Sequence, residues 1–160
     1  MIFILLNVAA SKFQVIRKVE NSIYYLAEKP KTLFLLDGFG AFLTAILLFA
    51  VLRNLNEYFG MPIHILTYLS VTAACLGIYS IACFLFLKEN WMPFIKAISI
   101  FNLFYCILTS ILVVVYFPML TRICIMYFVG EIILVLVLAY IELNVATQIN
   151  KKQIEQKLKD

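Results

Sequence analysis

The 160 residues are 64% hydrophobic and 14% charged, with a formal net charge of +4 at pH 7. That balance excludes an ordinary water-soluble domain, whose charged share is about 25%, because so short a chain cannot hide this much apolar surface. So few basic residues, set close to apolar stretches, also make a poor nucleic-acid surface, and membrane lipids are the expected partners.

Residues 1–31 are read as an N-terminal cytoplasmic or interfacial segment. Met1 to Ala10 is an apolar run followed by Ser11, which superficially matches the core and cleavage region of a signal peptide. It lacks a basic lead, and cleavage there would strand a basic tail outside, so removal is not expected. From Ser11 to Glu28 the spacing is helical. Val15, Ile16, Val19, Ile23 and Leu26 share one arc, with Arg17, Lys18, Asn21 and Glu28 elsewhere. This predicts an amphipathic helix, either lying in the membrane interface or folded back over the end of the helices that follow. Lys29-Pro30-Lys31 then breaks it.

Four apolar stretches come next, Thr32 to Leu52, Pro62 to Leu87, Ala97 to Phe117 and Ile123 to Leu143. At about 1.5 Å of rise per residue each can cross a hydrocarbon core of roughly 30 Å. The expected fold is an all-α membrane protein: a four-helix antiparallel transmembrane bundle over residues 32–145, with the interfacial helix before it. Residues 146–160 form a basic cytoplasmic tail. In that tail Val145, Ile149, Ile154 and Leu158, with Lys151, Glu155 and Lys159 at i,i+4 spacing, predict that the last helix continues beyond the membrane.

Orientation follows from charge. Of 13 Lys and Arg residues only Arg53 and Arg122 lie on the side opposite the termini. The positive-inside rule therefore places both termini in the cytoplasm and the chain in an inner, cytoplasmic membrane. Asn54, Gly60 and Pro62 are read as the first outer turn, with Tyr58 and Phe59 at headgroup level. Asn90 to Pro93 is read as the cap of span 3 with Trp91 as an interfacial anchor, and Pro118 with Thr121 as the second outer turn.

Small residues mark the faces that pack. Span 1 offers Gly40, Ala41, Thr44 and Ala45, and span 2 offers Ser70, Ala73, Ala74, Gly77 and Ser80, near the small-xxx-small pattern that lets backbones approach. A tight hairpin is expected, with Gly40, Ala73 and Gly77 at the contact and Leu47 facing lipid. On span 3, Ser99, Asn102, Cys106, Thr109 and Ser110 form a polar stripe directed at neighbouring helices.

Ionisable groups cost about 2.5 to 3.5 kcal/mol in mid-membrane on insertion scales, so Asp37, Glu131 and Glu142 carry the sharpest signal. Asp37 lies roughly 7.5 Å inside span 1 by helical rise, and Glu142 a similar distance from the inner end of span 4. Four spans thus contribute one polar layer: Asp37, Ser80 or Cys83, Asn102 or Tyr105, and Glu142. Glu131 stands nearer mid-span, about 16 Å and three turns from Glu142 on nearly the same face. One reading makes these residues a cleft that binds a cation, a proton or a polar headgroup. The other lets Asp37 and Glu142 reach interfacial water or pair with Lys29, Lys31 and Lys96, while a neutral Glu131 hydrogen-bonds inside the bundle.

No C-x-x-C pair accompanies Cys75, Cys83, Cys106 and Cys124, which read as packing residues, and His64 is the sole histidine. No metal or cofactor is expected, and no nucleophile, base and orienting group occur at a motif spacing, so no enzyme activity is expected either. Rotary-ATPase proteolipids, small multidrug exporters, quinone-linked thiol oxidases and glutathione-using four-span enzymes each need glycine strings, a span 1 Glu, C-x-x-C pairs or arginines that this chain lacks. It resembles small bacterial inner-membrane proteins in architecture and not in motif. The expected function is that of a non-enzymatic accessory, structural or lipid- or small-molecule-binding bundle, alone, as a homo-oligomer or with a partner membrane protein. The alternative is a proton- or cation-coupled transporter or channel subunit using Glu131 and the acidic layer.

Overall fold

The structure, a computed structural model, describes residues 14, 17, 20, 21 and 23–158, including all their side chains but those of 56, 57, 156 and 157. Val15, Ile16, Val19 and the run Met1 to Ala10 lie outside the described residues. Among those described, helix is the only regular secondary structure. Helix α1 (Pro30–Ile46) winds directly into a π-helical turn, Leu47–Leu52; a short α2 (Asn56–Phe59) follows, then α3 (Ile63–Phe86), α4 (Trp91–Val115) and α5 (Arg122–Lys157). Four of these helices are long and apolar enough to cross a membrane: Pro30–Leu52, Ile63–Phe86, Trp91–Val115 and the stretch Arg122–Glu155.

Local chemistry explains most boundaries. Pro30 stands in the first turn of α1, where its missing N–H costs nothing, and Lys29 before it is non-helical (φ −127°, ψ 66°). The wide turn at the other end is closed by Arg53 N–H donating to the Leu48 carbonyl at 3.0 Å, and it keeps both Leu48 and Leu52 buried. Thr121 accepts the Cys124 N–H at 3.4 Å and so caps α5. Asn90 departs from expectation. It takes a left-handed conformation (φ 58°) and makes no side-chain cap bond, so its role is to turn the chain. Helix α4 also begins earlier than the apolar stretch suggests. Trp91 is its first residue, Lys96 is an exposed position on it, and the connection from α3 is only Leu87 to Asn90. The Trp91 ring lies 6.2 Å from that of Phe34, with Lys31 Nζ 5.9 Å above it.

Helix α1 packs along α3, and α4 along α5. Both pairs are antiparallel: Ser70 donates to the Ala45 carbonyl at 2.9 Å while Ser80 donates to Asp37, and Ser99 donates to the Ala139 carbonyl while Tyr105 donates to Glu131, so one helix of each pair ascends as the other descends. The α1–α3 contact is set by glycine, though not by the pair expected. A methyl on Gly38 would come within 2.9 Å of Ile81 Cγ1, and one on Gly77 within 3.0 Å of Phe42 Cδ2, whereas one on Gly40 would meet nothing within 4 Å. Gly77 is in the contact as predicted; Gly38, not Gly40, is its partner. Leu47 is likewise only half exposed and lies on a cavity wall instead of a free outer face.

Two apolar clusters hold the helices. One gathers Leu48, Leu66, Leu69, Tyr105 and Phe128; the other gathers Leu33, Phe34, Ile95, Ile98 and Val145. Ile23 and Leu26, the described part of the predicted amphipathic arc, are buried in the second cluster with Val145, Ala146 and Ile149 of α5. That placement follows the fold-back alternative for these two residues. The nearby Lys152–Glu28 pair, at 3.7 Å and well exposed, adds little to stability. Much of the remaining apolar surface faces outward, including Phe39, Phe86, Phe104, Val114 and Leu134.

Candidate functional site

The close approach at Gly38 and Gly77 brings a short side chain within reach of a carboxylate. Ser80 Oγ donates to Asp37 Oδ2, a bond that needs the α1 and α3 backbones in near contact because serine has so little reach. From α4, Asn102 Nδ2 donates to Asp37 Oδ1 at 2.8 Å. The same nitrogen donates to Glu142 of α5, 3.4 Å from Oε1 and 3.3 Å from Oε2. One amide thus bridges two carboxyl groups, and its two N–H bonds are divided between them.

All of these groups are withdrawn from solvent. Asp37 is 2% exposed, Glu142 and Ser80 are fully buried, and Asn102 is 4% exposed. The expectation that Asp37 and Glu142 reach interfacial water or pair with Lys29, Lys31 or Lys96 is therefore corrected. Helix packing places Ser80 and Asn102 against them, and among the described residues the ion pair is Lys152–Glu28, remote from this layer. The two alternatives left by the sequence also resolve. Ser80, not Cys83, bonds Asp37, and Asn102 joins the inner layer while Tyr105 belongs to a second cluster.

In that cluster Tyr105 Oη donates to Glu131 Oε1 at 2.7 Å. Glu131 is 7% exposed, and its other oxygen, Oε2, is buried with no hydrogen-bond partner. Such an atom is costly, since burying an acceptor without a donor forfeits about 1 to 3 kcal/mol, more if charged. Of the rest of the α4 stripe, Ser99, Cys106 and Thr109 are buried as their spacing predicts and Ser99 donates to the Ala139 carbonyl at 2.9 Å, whereas Ser110 is only partly buried and donates to the Cys106 carbonyl of its own helix at 2.7 Å. Cys83, Cys106 and Cys124 are buried packing residues as expected, but Cys75 is exposed. Among the described residues no group of three His, Cys, Asp or Glu side chains is placed to hold a metal ion.

A cavity of about 400 Å³ joins the two clusters. Its sides are α1 (Gly40, Leu43, Thr44, Leu47) and α5 (Met126, Tyr127, Gly130, Leu134, Leu138), and its floor is Ala73 and Leu76 of α3 with Asn102 and Tyr105 of α4. Asp37 and Glu131 also lie on its wall. Leu43, Met126, Gly130 and Leu134 are at once wall residues and exposed on the outer surface, so the cavity opens sideways between α1 and α5. Of the six residues singled out in the sequence, Asp37, Asn102, Tyr105 and Glu131 reach the cavity; Ser80 and Glu142 stand behind it and orient Asp37 and Asn102. Missed were Thr44, Tyr127 and Gly130. Of these, Gly130 beside Glu131 was the available signal, a residue without a side chain next to a buried acid.

No protein-family model, curated protein or solved structure matches this chain. The cavity and its carboxyl groups are accordingly the basis for a functional reading.

Proposed function

We propose that this chain is a non-enzymatic integral protein of the inner membrane that takes an amphipathic small molecule or lipid into the cavity between α1 and α5. Its four long helices form an antiparallel bundle across the bilayer, with both termini in the cytoplasm. Three features support insertion. The outer surface is apolar over far more than a soluble monomer tolerates. Asp37, Glu131 and Glu142, the ionisable carboxyls of the apolar stretches, are buried inward. Lys and Arg gather at one end. Reporter fusions after Asp160 are expected to read cytoplasmic and a fusion at Glu57 external; a C-terminal fusion that reads external would reverse the assignment.

The observation that carries the binding reading is the sideways opening. A pocket with apolar walls and a few polar groups at its floor suits a ligand that is itself apolar with one polar end, and a mouth facing hydrocarbon admits such a ligand without passage through water. Filling the cavity tests this. Gly40 and Gly130 line it, and a methyl on either meets nothing within 4 Å, so a side chain at these positions starts in open space, and leucine is the substitution chosen to fill it. A photoreactive residue at Leu138 should capture a small amphiphile in the parent protein and fail to do so with Gly40→Leu and Gly130→Leu in place.

A further inference from the structure

We propose that the ligand is a monocationic amphiphile, a protonated amine on an apolar body, whose N–H is donated to Glu131 Oε2. The inference rests on the binding role just described and adds the chemistry of the headgroup. Glu131 Oε2 is the one carboxylate oxygen among the described residues that is buried and unpartnered, and Glu131 lies on the cavity wall. Its neighbour Oε1 is already held by Tyr105, which fixes the carboxyl group; Oε2 itself has essentially no accessible surface, so an entering donor reaches it as the side chains covering it give way. An ammonium N–H supplies the missing donor.

Charge selects among donors. The cavity wall carries two carboxyl groups, Asp37 and Glu131, with the Asn102 amide and the Thr44, Tyr105 and Tyr127 hydroxyls, and no Lys, Arg or His. An anionic headgroup would sit beside acids with nothing to balance it. A neutral alcohol would satisfy Oε2 and leave the charge balance of the wall unchanged. A cation does both. A bare metal ion fits poorly, because hard cations need several oxygen ligands at close range and most of the wall is leucine, alanine and glycine. The tail of the ligand lies along Leu43, Leu47, Leu134 and Leu138 toward the open side.

The test uses the full chain in phosphatidylcholine nanodiscs with four radiolabelled probes of one tail length: decylamine, decyltrimethylammonium, decanol and decanoate. Binding is read by scintillation proximity against empty nanodiscs, which removes simple partitioning. Decylamine is expected to saturate with an affinity about tenfold or more above decanol and decanoate, the contribution of one charge-assisted hydrogen bond. Decyltrimethylammonium, which has charge but no N–H, falls between. Glu131→Gln should abolish the preference for the amine, so that decylamine and decanol bind the variant with the same affinity. In the unsubstituted protein, decylamine and not decanol should protect Glu131 from dicyclohexylcarbodiimide, a readout independent of how the variant folds. Equal affinity for amine and alcohol, with Gly40→Leu blocking both, overturns the cationic assignment and keeps the binding role. Absence of saturable binding by any probe overturns both.

Discussion

Replacing Asn102 by leucine is expected to destabilise the protein by about 2 to 6 kcal/mol, two buried carboxyl groups each losing a donor at about 1 to 3 kcal/mol apiece. Leucine keeps the branching of asparagine, so the main loss is of hydrogen bonds, with some overpacking from its larger methyl groups. Asn102 supplies the N–H groups that meet Asp37 and Glu142, and without them two buried carboxyl groups are left side by side with no amide to bridge them. The effect should be coupled to those acids. In an Asp37→Asn, Glu142→Gln background the same Asn102→Leu change should cost about 1 to 3 kcal/mol less, the size of coupling found between groups in one network. Unfolding in detergent across this double-mutant cycle measures it; additive losses would mean that Asn102 stabilises by packing alone.

Gly60→Ala is expected to cost about 2 to 5 kcal/mol, combining left-handed backbone strain with forced displacement of packed atoms. Gly60 has φ +76°, and a Cβ there would lie 1.8 Å from the Met119 carbonyl oxygen and 2.8 Å from its carbon. Both are backbone atoms, which cannot swing aside. The two turns at this end of the helices are also joined here, with Thr121 N–H donating to the Phe59 carbonyl at 3.2 Å and Met61 and Leu120 buried beneath. Forcing the turns apart therefore opens the first apolar cluster at its end. Gly130→Ala serves as the control: a methyl there meets nothing within 4 Å, and alanine favours helix by about 1 kcal/mol over glycine. Thermal midpoints of the two variants should move in opposite directions.

The helices were legible because length and apolarity act over twenty residues at once, and a few misplaced boundaries do not change the sum. The α4 stripe was legible for a similar reason: Ser99, Asn102, Cys106 and Thr109 recur at one helical period, and all are buried. The identity of partners was less accessible. That Ser80 and not Cys83 bonds Asp37 depends on how closely α1 and α3 approach, which Gly38 decides, and the sequence pattern pointed to Gly40 because both fit the same small-residue spacing. Gly40 and Leu47 were misplaced by one fact that no local pattern contains: α1 and α5 make few contacts. A gap between helices is a property of their assembly, so the cavity could not be read from any single span. Asn90 was read as a cap from its residue type, yet its left-handed backbone uses the other talent of asparagine, tolerance of positive φ.

The measurement that bears most directly on the cavity's role is photochemical capture at Leu138 in membranes from the expressing cell, followed by mass spectrometry of the captured adduct. Leu138 is on the wall, while Ile111 is exposed on the outer surface of α4 and serves as the lipid-facing reference. The account predicts a discrete small amphiphile at Leu138, absent at Ile111 and lost when Gly40→Leu and Gly130→Leu fill the space. Capture of the same bulk phospholipids at both positions, unchanged by the filling substitutions, would contradict it.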